Sequence, residues 1–293
     1  MTSIRSIVVA TDFSPGSKAA LERAVQLAGA HGATLHLLHA FDVSAWHSLK
    51  GVFDLPSMTM DPPPDVMVQQ RLNDVAATLK AQTSLEVVSE FGLGTAERVI
   101  EAHVKAHASS LIVIGSRADP VVKGLGSTAS KVIRSPECPV LVVREPAARP
   151  YSKVLVAVDV GNDAPRAAAF AVALLPTAHH HLLYAVDPGM ERALWMGGLA
   201  KEHSRSQLDA MHAHASRVLQ QLAQDLAGQA QHPVTVEVVD DVPARAVVTR
   251  AGALPADCVV VGHHSRGAIA ESFLGNMAQH AIHHTSRDVL VVP

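Results

Sequence analysis

The feature that most constrains this chain is that it is written twice. Ile7-Val8-Val9-Ala10-Thr11-Asp12 recurs as Val154-Leu155-Val156-Ala157-Val158-Asp159, 147 residues further on. Leu111-Ile112-Val113-Ile114-Gly115 recurs at the same offset as Cys258-Val259-Val260-Val261-Gly262. Beyond that point the offset grows to 149: Gly126-Ser127 matches Gly275-Asn276, and Val140-Leu141-Val142-Val143 matches Val289-Leu290-Val291-Val292. Twice the repeat nearly fills the 293 residues, so each half is expected to fold as one domain. Residues 1–145 and 152–293 are the expected domains, and 146–151 the linker, where Pro146 and Pro150 suit a short, stiff connection.

The composition supports two packed cores and little else. Hydrophobic residues make up 48% of the chain and charged residues 17%, which excludes a disordered tail protein. A formal charge of −3 leaves no basic footprint for nucleic acid or an anionic membrane. The longest apolar stretch, Ala167 to Leu175, falls well short of the ~18 residues that a membrane span needs. Ser6-Ile7-Val8-Val9-Ala10 runs at once into Thr11-Asp12, so the start does not read as a signal peptide. Two cysteines, Cys138 and Cys258, are too few for a disulfide framework. The expectation is a cytoplasmic α/β protein with neither nucleic acid nor membrane as a partner.

Within the first half, continuous aliphatic runs at 4–10, 33–40, 85–91, 110–114 and 139–143 read as strands. Segments 16–30, 66–81, 95–108 and 127–135 carry helical periodicity. In the second half the strands fall near 153–158, 180–186, 234–239, 257–261 and 288–292. Strands apolar on both faces belong to parallel sheets covered by helices on each side. Alternation of the two element types then gives two tandem doubly wound domains with right-handed crossovers.

In such sheets ligands bind beyond the carboxyl ends of the strands, where the strand order reverses. Asp12 and Asp159 end the first strands, Gly115 and Gly262 the fourth, and Gly126-Ser127 and Gly275-Asn276 open the last helices. An aspartate there can accept hydrogen bonds from a ribose or help hold a metal. Glycines let the backbone approach phosphate oxygens, and Ser127 or Asn276 can donate to them. The same residues also serve as ordinary turns and helix caps, and that reading stays open beside the first.

Taken together, these segments resemble the universal stress protein family in its tandem form, over nearly the whole chain. The carriers are Val8-Val9-Ala10-Thr11-Asp12-Phe13-Ser14, the run Ser135-Pro136-Glu137-Cys138-Pro139 into Val143, and Gly262 through Asn276. The resemblance implies a five-stranded domain of the adenine nucleotide alpha-hydrolase-like type. It further implies ATP held across strands one and four, with the adenine read by main chain near Ala40 and Ala185. It also implies that the halves pair through their final strands, and it leaves a homodimer open. Family members act mostly in stress resistance and regulation.

The family's nucleotide binders carry glycine, two residues, glycine, nine residues, then glycine with Ser or Thr. In the second half Gly262 and Gly275 keep their places and the nine-residue spacing, while Ser265 and Asn276 replace the second glycine and the Ser/Thr. In the first half Ala118 takes the second glycine's place, and only residues 119–125 separate it from Gly126. Two missing residues span up to ~7 Å of chain, comparable to one phosphate group. Pro120 removes a further donor, although Arg117, Lys123 and Gly124 could still attract an anion.

ATP or a related adenine nucleotide, with or without Mg, is therefore expected more in the C-terminal half than the N-terminal one. The alternative is a regulatory or scaffold protein with degenerate pockets that binds a metal or another small ligand. Loops 42–65 (Trp46, Phe53, Met58, Met60) and 187–203 (Met190, Trp195, Met196) would then cover a pocket or dock a partner.

There are 18 histidines, and His280, His283 and His284 can share one helix face, which suits a zinc or copper ion but equally suits solvated or capping histidines at a helix C-terminus. His36 with His39, and His103 with His107, read as structural. Cys138 and Cys258 read as small buried residues. The chain has no Gly-x-Ser-x-Gly elbow, no Walker-type phosphate loop and no strand-one Gly-x-Gly-x-x-Gly fingerprint. A dedicated hydrolase or dehydrogenase is disfavoured; slow ATP hydrolysis, helped by a metal near Asp159, stays open.

Overall fold

The computed structural model describes residues 3–44, 62–116, 125–134, 136–160, 164–189, 196, 201–263 and 276–293. The chain divides between Ala148 and Arg149 into two units. The first runs β1(Ser6–Ala10), α1(Pro15–His31), β2(Thr34–Phe41), α2(Pro64–Gln82), β3(Val87–Leu93), α3(Ala96–His107), β4(Leu111–Gly115), α4(Ser127–Val132) and β5(Val140–Val143). Its strands lie in the order β3-β2-β1-β4-β5, every pair parallel. The second runs β6(Lys153–Ala157), α5(Ala164–Leu174), β7(His179–Val186), α6(Lys201–Leu226), β8(Thr235–Asp240), α7(Pro243–Ala253), β9(Cys258–Gly262), α8(Asn276–His284) and β10(Asp288–Val292). Its order is β8-β7-β6-β9-β10, again all parallel. Strand order reverses between β1 and β4 in one unit and between β6 and β9 in the other.

The aliphatic runs explain the sheets. Ile7, Val8 and Val9 are all fully buried although neighbours point to opposite faces, so helices cover both sides of β1. The outer strands β3 and β8 instead mix in Ser89, Glu90, Glu237 and Asp240, and most of their residues are only half-buried. Such polar outer strands discourage unwanted pairing.

Local chemistry sets the helix ends. Ser14 caps α1, its hydroxyl accepting from the Ser17 N–H at 3.2 Å, and Pro15 fits the first turn. Gly32 closes the same helix at φ 60°. The triple-proline run places Pro64 at the start of α2, where a missing N–H is harmless. The helix expected over 127–135 stops at Val132, four residues before Pro136, and proline disfavours helical backbone just ahead of it.

Register puts the duplication on a structural footing. Ile7 pairs with Leu111 and Val154 with Cys258, while Ile112 pairs with Val140 and Val259 with Val289. One correspondence shifts: Val8 pairs with His36, and its repeat mate Leu155 pairs with His181. His36 therefore matches His181, and Ala40 matches Ala185, at an offset of 145.

The final residues of the expected linker are tied to the second unit. Asp257 accepts from Ser152 N–H at 2.7 Å, Lys153 N–H at 3.0 Å and the Arg149 guanidinium at 2.8 Å. The Tyr151 hydroxyl donates to the buried Asp288 carboxylate. Among the described residues no helix is long and apolar enough to cross a membrane.

Candidate functional site

At the reversal point of the first unit, the carboxyl end of β4 meets the start of α1 backbone to backbone. A Cβ on Gly115 would lie 2.3 Å from the Gly16 carbonyl oxygen, and one on Gly16 would lie 2.3 Å from that of Ser116. Both positions therefore need glycine for packing. This gives Gly115 a role beyond the phosphate approach expected of it. Gly126 is required for a different reason: its φ of 74° is a left-handed conformation that side chains resist.

Beside this contact opens a cavity of about 520 Å³, within the range of small-molecule sites. Asp12, Ala40, Gly115, Gly126 and Ser127 all line it, so five residues named from sequence converge on one space. Leu38, Ile100, Ile114 and Leu125 form an apolar floor; Thr11, Ser14, Ser17, Ser116 and Thr128 add hydroxyls. Among the described lining residues Asp12 carries the only formal charge.

Asp12 is well held. Its Oδ1 accepts from the Ser14 N–H at 3.0 Å. Burial opposes the carboxylate charge, but hydrogen bonds from Ser14 and Ser17 outweigh it and set the carboxyl below its ordinary value. A ribose hydroxyl or a magnesium-bound water would meet an ionised group.

Phe13, next along the chain, has φ 61°, a costly conformation for a bulky residue. Its N–H donates to Thr11 Oγ1 at 3.1 Å, its ring stacks on His39 at 5.0 Å, and Arg71 lies 4.5 Å over it. His39 in turn donates from Nδ1 to the Thr11 carbonyl at 2.7 Å, while burial lowers its pKa.

In the second unit Asp159 follows β6 as Asp12 follows β1, and Ala185 lies in β7. Gly262 ends β9, and Asn276 opens α8. Ser265 and Gly275 lie outside the described residues, as do Arg117, Ala118, Pro120, Lys123 and Gly124 of the first unit. Trp46, Phe53, Met58, Met60, Met190 and Trp195 lie outside them too, while Met196 is 72% exposed.

The histidines fall differently from expectation. The His280 and His284 rings lie 4.1 Å apart on α8, tilted 33° to one another. The converging set lies in the first unit: His36 on β2, Glu90 on β3, and His103 and His107 on α3. The i, i+4 spacing of His103 and His107 was the visible signal. The β2–β3 register that brings His36 and Glu90 to them was not visible in the sequence. Both cysteines are buried thiols, and burial pushes Cys138 up to about 12, where it is no nucleophile.

A crevice at the reversal point of a parallel sheet, edged by an ionised aspartate and close-packed glycines, marks the first unit as a doubly wound α/β domain, and the second unit repeats its strand order. The chain matches the Universal stress protein family over residues 3–144 and again over 150–293, and it belongs to that family. It is 33% identical to universal stress protein YxiE of Bacillus subtilis over 144 residues, 47% of this chain and 97% of that protein. It is 29% identical to universal stress protein A homolog 2 of Coxiella burnetii over 150 residues, 49% of this chain and 97% of that one. A universal stress protein from Archaeoglobus fulgidus shares the fold over 98% of this chain and 97% of its own, with TM-score 0.67 and 19% identity. A functionally unknown Pseudomonas aeruginosa protein shares it over 99% and 93%, with TM-score 0.65 and 22% identity.

Proposed function

We propose that this chain is a cytoplasmic stress-response protein that holds ATP or a related adenine nucleotide and acts by regulation. The supporting observation is the cavity at the strand-order reversal, with Asp12, Ala40, Gly115, Gly126 and Ser127 around it. In this reading Ala40 marks the adenine end, Asp12 receives the ribose, and the phosphates run toward Gly115, Gly126 and Ser127. Asp159, Ala185, Gly262, Ser265, Gly275 and Asn276 take the same parts in the second unit. Its full nine-residue phosphate loop makes it the tighter site. Magnesium enters with the phosphates, whose oxygens supply its ligands.

One observation favours a second reading for the first unit. Its described lining offers a triphosphate no cation and one anion. That pocket would then hold a neutral, nucleoside-sized ligand, while the second unit holds the nucleotide.

The test begins with tag-free protein. Small molecules released by denaturation are identified, and nucleotide-free samples are titrated with ATP, Mg-ATP and adenosine. Asp159→Ala is expected to remove most ATP binding and Asp12→Ala to remove the weaker part. Adenosine binding that depends on Asp12 but not Asp159 supports the second reading. No released adenine nucleotide, and no heat at millimolar ATP, defeats the proposal.

A further inference from the structure

His36, Glu90 and His107 come from β2, β3 and α3, yet each offers one ligand atom and all three atoms lie within 4.8 Å of one another. Glu90 Oε1 is 3.2 Å from His36 Nδ1 and 3.4 Å from His107 Nε2. A tetrahedral zinc ion bound at 2.0–2.1 Å needs neighbouring donors about 3.3 Å apart, so both distances already match the edges of such a site. His107, at the half-exposed end of α3, has room to close the remaining edge. Glu90's second oxygen, Oε2, is held by His103 Nδ1 at 2.8 Å. Ligating carboxylates are themselves hydrogen-bonded in metal sites, and the buried His103 imidazole supplies that bond here.

We propose that this cluster is a divalent transition-metal site, with zinc the best fit, ligated by His36, Glu90 and His107 and positioned by His103. Two imidazoles and one carboxylate are the donor set that zinc accepts, with a fourth place left for water. Magnesium or calcium would want oxygen donors instead. Among the described residues no other three such groups come this close. The ion ties α3 to β2 and β3, about two helical turns beyond Ile100 of the cavity floor.

The second unit supplies an internal comparison. His181 and Glu237 repeat His36 and Glu90 and bond at 3.0 Å. The positions of His103 and His107, however, are Arg250 and Leu254. Arg250 donates to Glu237 directly, and a guanidinium cannot ligate a metal. The site is therefore assigned to the first unit alone.

The test uses the full chain, purified without an affinity tag and stripped with a chelator. Cobalt(II) titration should give the visible spectrum of a four-coordinate ion at one equivalent, and zinc should displace it. His107→Gln changes an accessible side chain and should abolish that spectrum without loss of helical circular dichroism; Glu90→Gln should do the same. His103→Gln should weaken affinity by about 10–100-fold while leaving the shape of the spectrum intact. A stripped protein that takes up neither cobalt nor zinc overturns the assignment. So does a full-strength spectrum in His107→Gln, or one that disappears instead with His280→Gln and His284→Gln. None of these readouts depends on whether a nucleotide binds.

Discussion

Glu90 and Glu237 stand at the same place in the two units, on outer strands opposite Leu38 and Leu183. Around Glu90 the chain sets three imidazoles; around Glu237 it sets one imidazole and a guanidinium. Both solutions satisfy a half-buried carboxylate, and burial acts against the charge of Glu90 less than its histidine partners favour it. They differ in what else they permit. A guanidinium carries a permanent charge and five donors but no lone pair, whereas neutral imidazoles can take up an ion. The difference teaches that the duplicated backbone has kept its register while the chemistry grafted on it has diverged.

Four experiments would break or sharpen that comparison. The largest change expected is a whole binding site: Arg250→His with Leu254→His should bring metal analysis to two equivalents of zinc. A count that stays at one would show that His181 and Glu237 are not placed as His36 and Glu90 are. Next come the cores. Leu37→Ala and Leu182→Ala empty equivalent, fully buried positions, and each should cost about 2–5 kcal/mol in urea unfolding. Losses that differ by more than about 2 kcal/mol between the pair would show that the two cores are unequally packed.

Gly16→Ala should cost about 1–3 kcal/mol, because its new methyl group meets main chain, which moves less easily than a side chain. An unchanged unfolding midpoint would refute the close approach. The smallest effect is in acid. His180 is buried where the first unit has Leu35, and burial lowers its pKa below 6.5. The folded state keeps this ring neutral, while the unfolded chain takes up a proton near pH 6.5. Its contribution is therefore present above that pH and fades as pH falls below it, by at most about 1.4 kcal/mol per pH unit. His180→Leu should flatten that part of a stability–pH curve measured on metal-free protein; an unchanged slope would place the acid sensitivity elsewhere.

The fold was legible because a strand buried on both faces leaves an unbroken aliphatic run. Ile7–Val9 and Leu111–Ile114 announce β1 and β4, and the observed bounds differ from the expected ones by one or two residues in most elements. The helix over 127–135 came out short because periodicity outweighed the Pro136 signal. Asp12, Ala40, Gly115, Gly126 and Ser127 were also legible, since repetition marks where the reversal point must lie. Two things were not. The partner that makes Gly115 obligatory is Gly16, a contact made only when α1 folds back over β4. The histidine cluster depends on strand register: the 103/107 spacing is local, but His36 and Glu90 join it across 54 residues of chain.

The paired glycines have a further consequence. Where two chain segments touch without intervening side chains, the width of the opening is set by bond lengths and not by rotamer choice. A guest molecule arriving there finds one wall already in its final position, and little ordering entropy is lost in setting it. What can still vary at that wall is the set of hydroxyls lining the cavity, and those of Ser14 and Ser17 are already committed to capping α1 and holding Asp12.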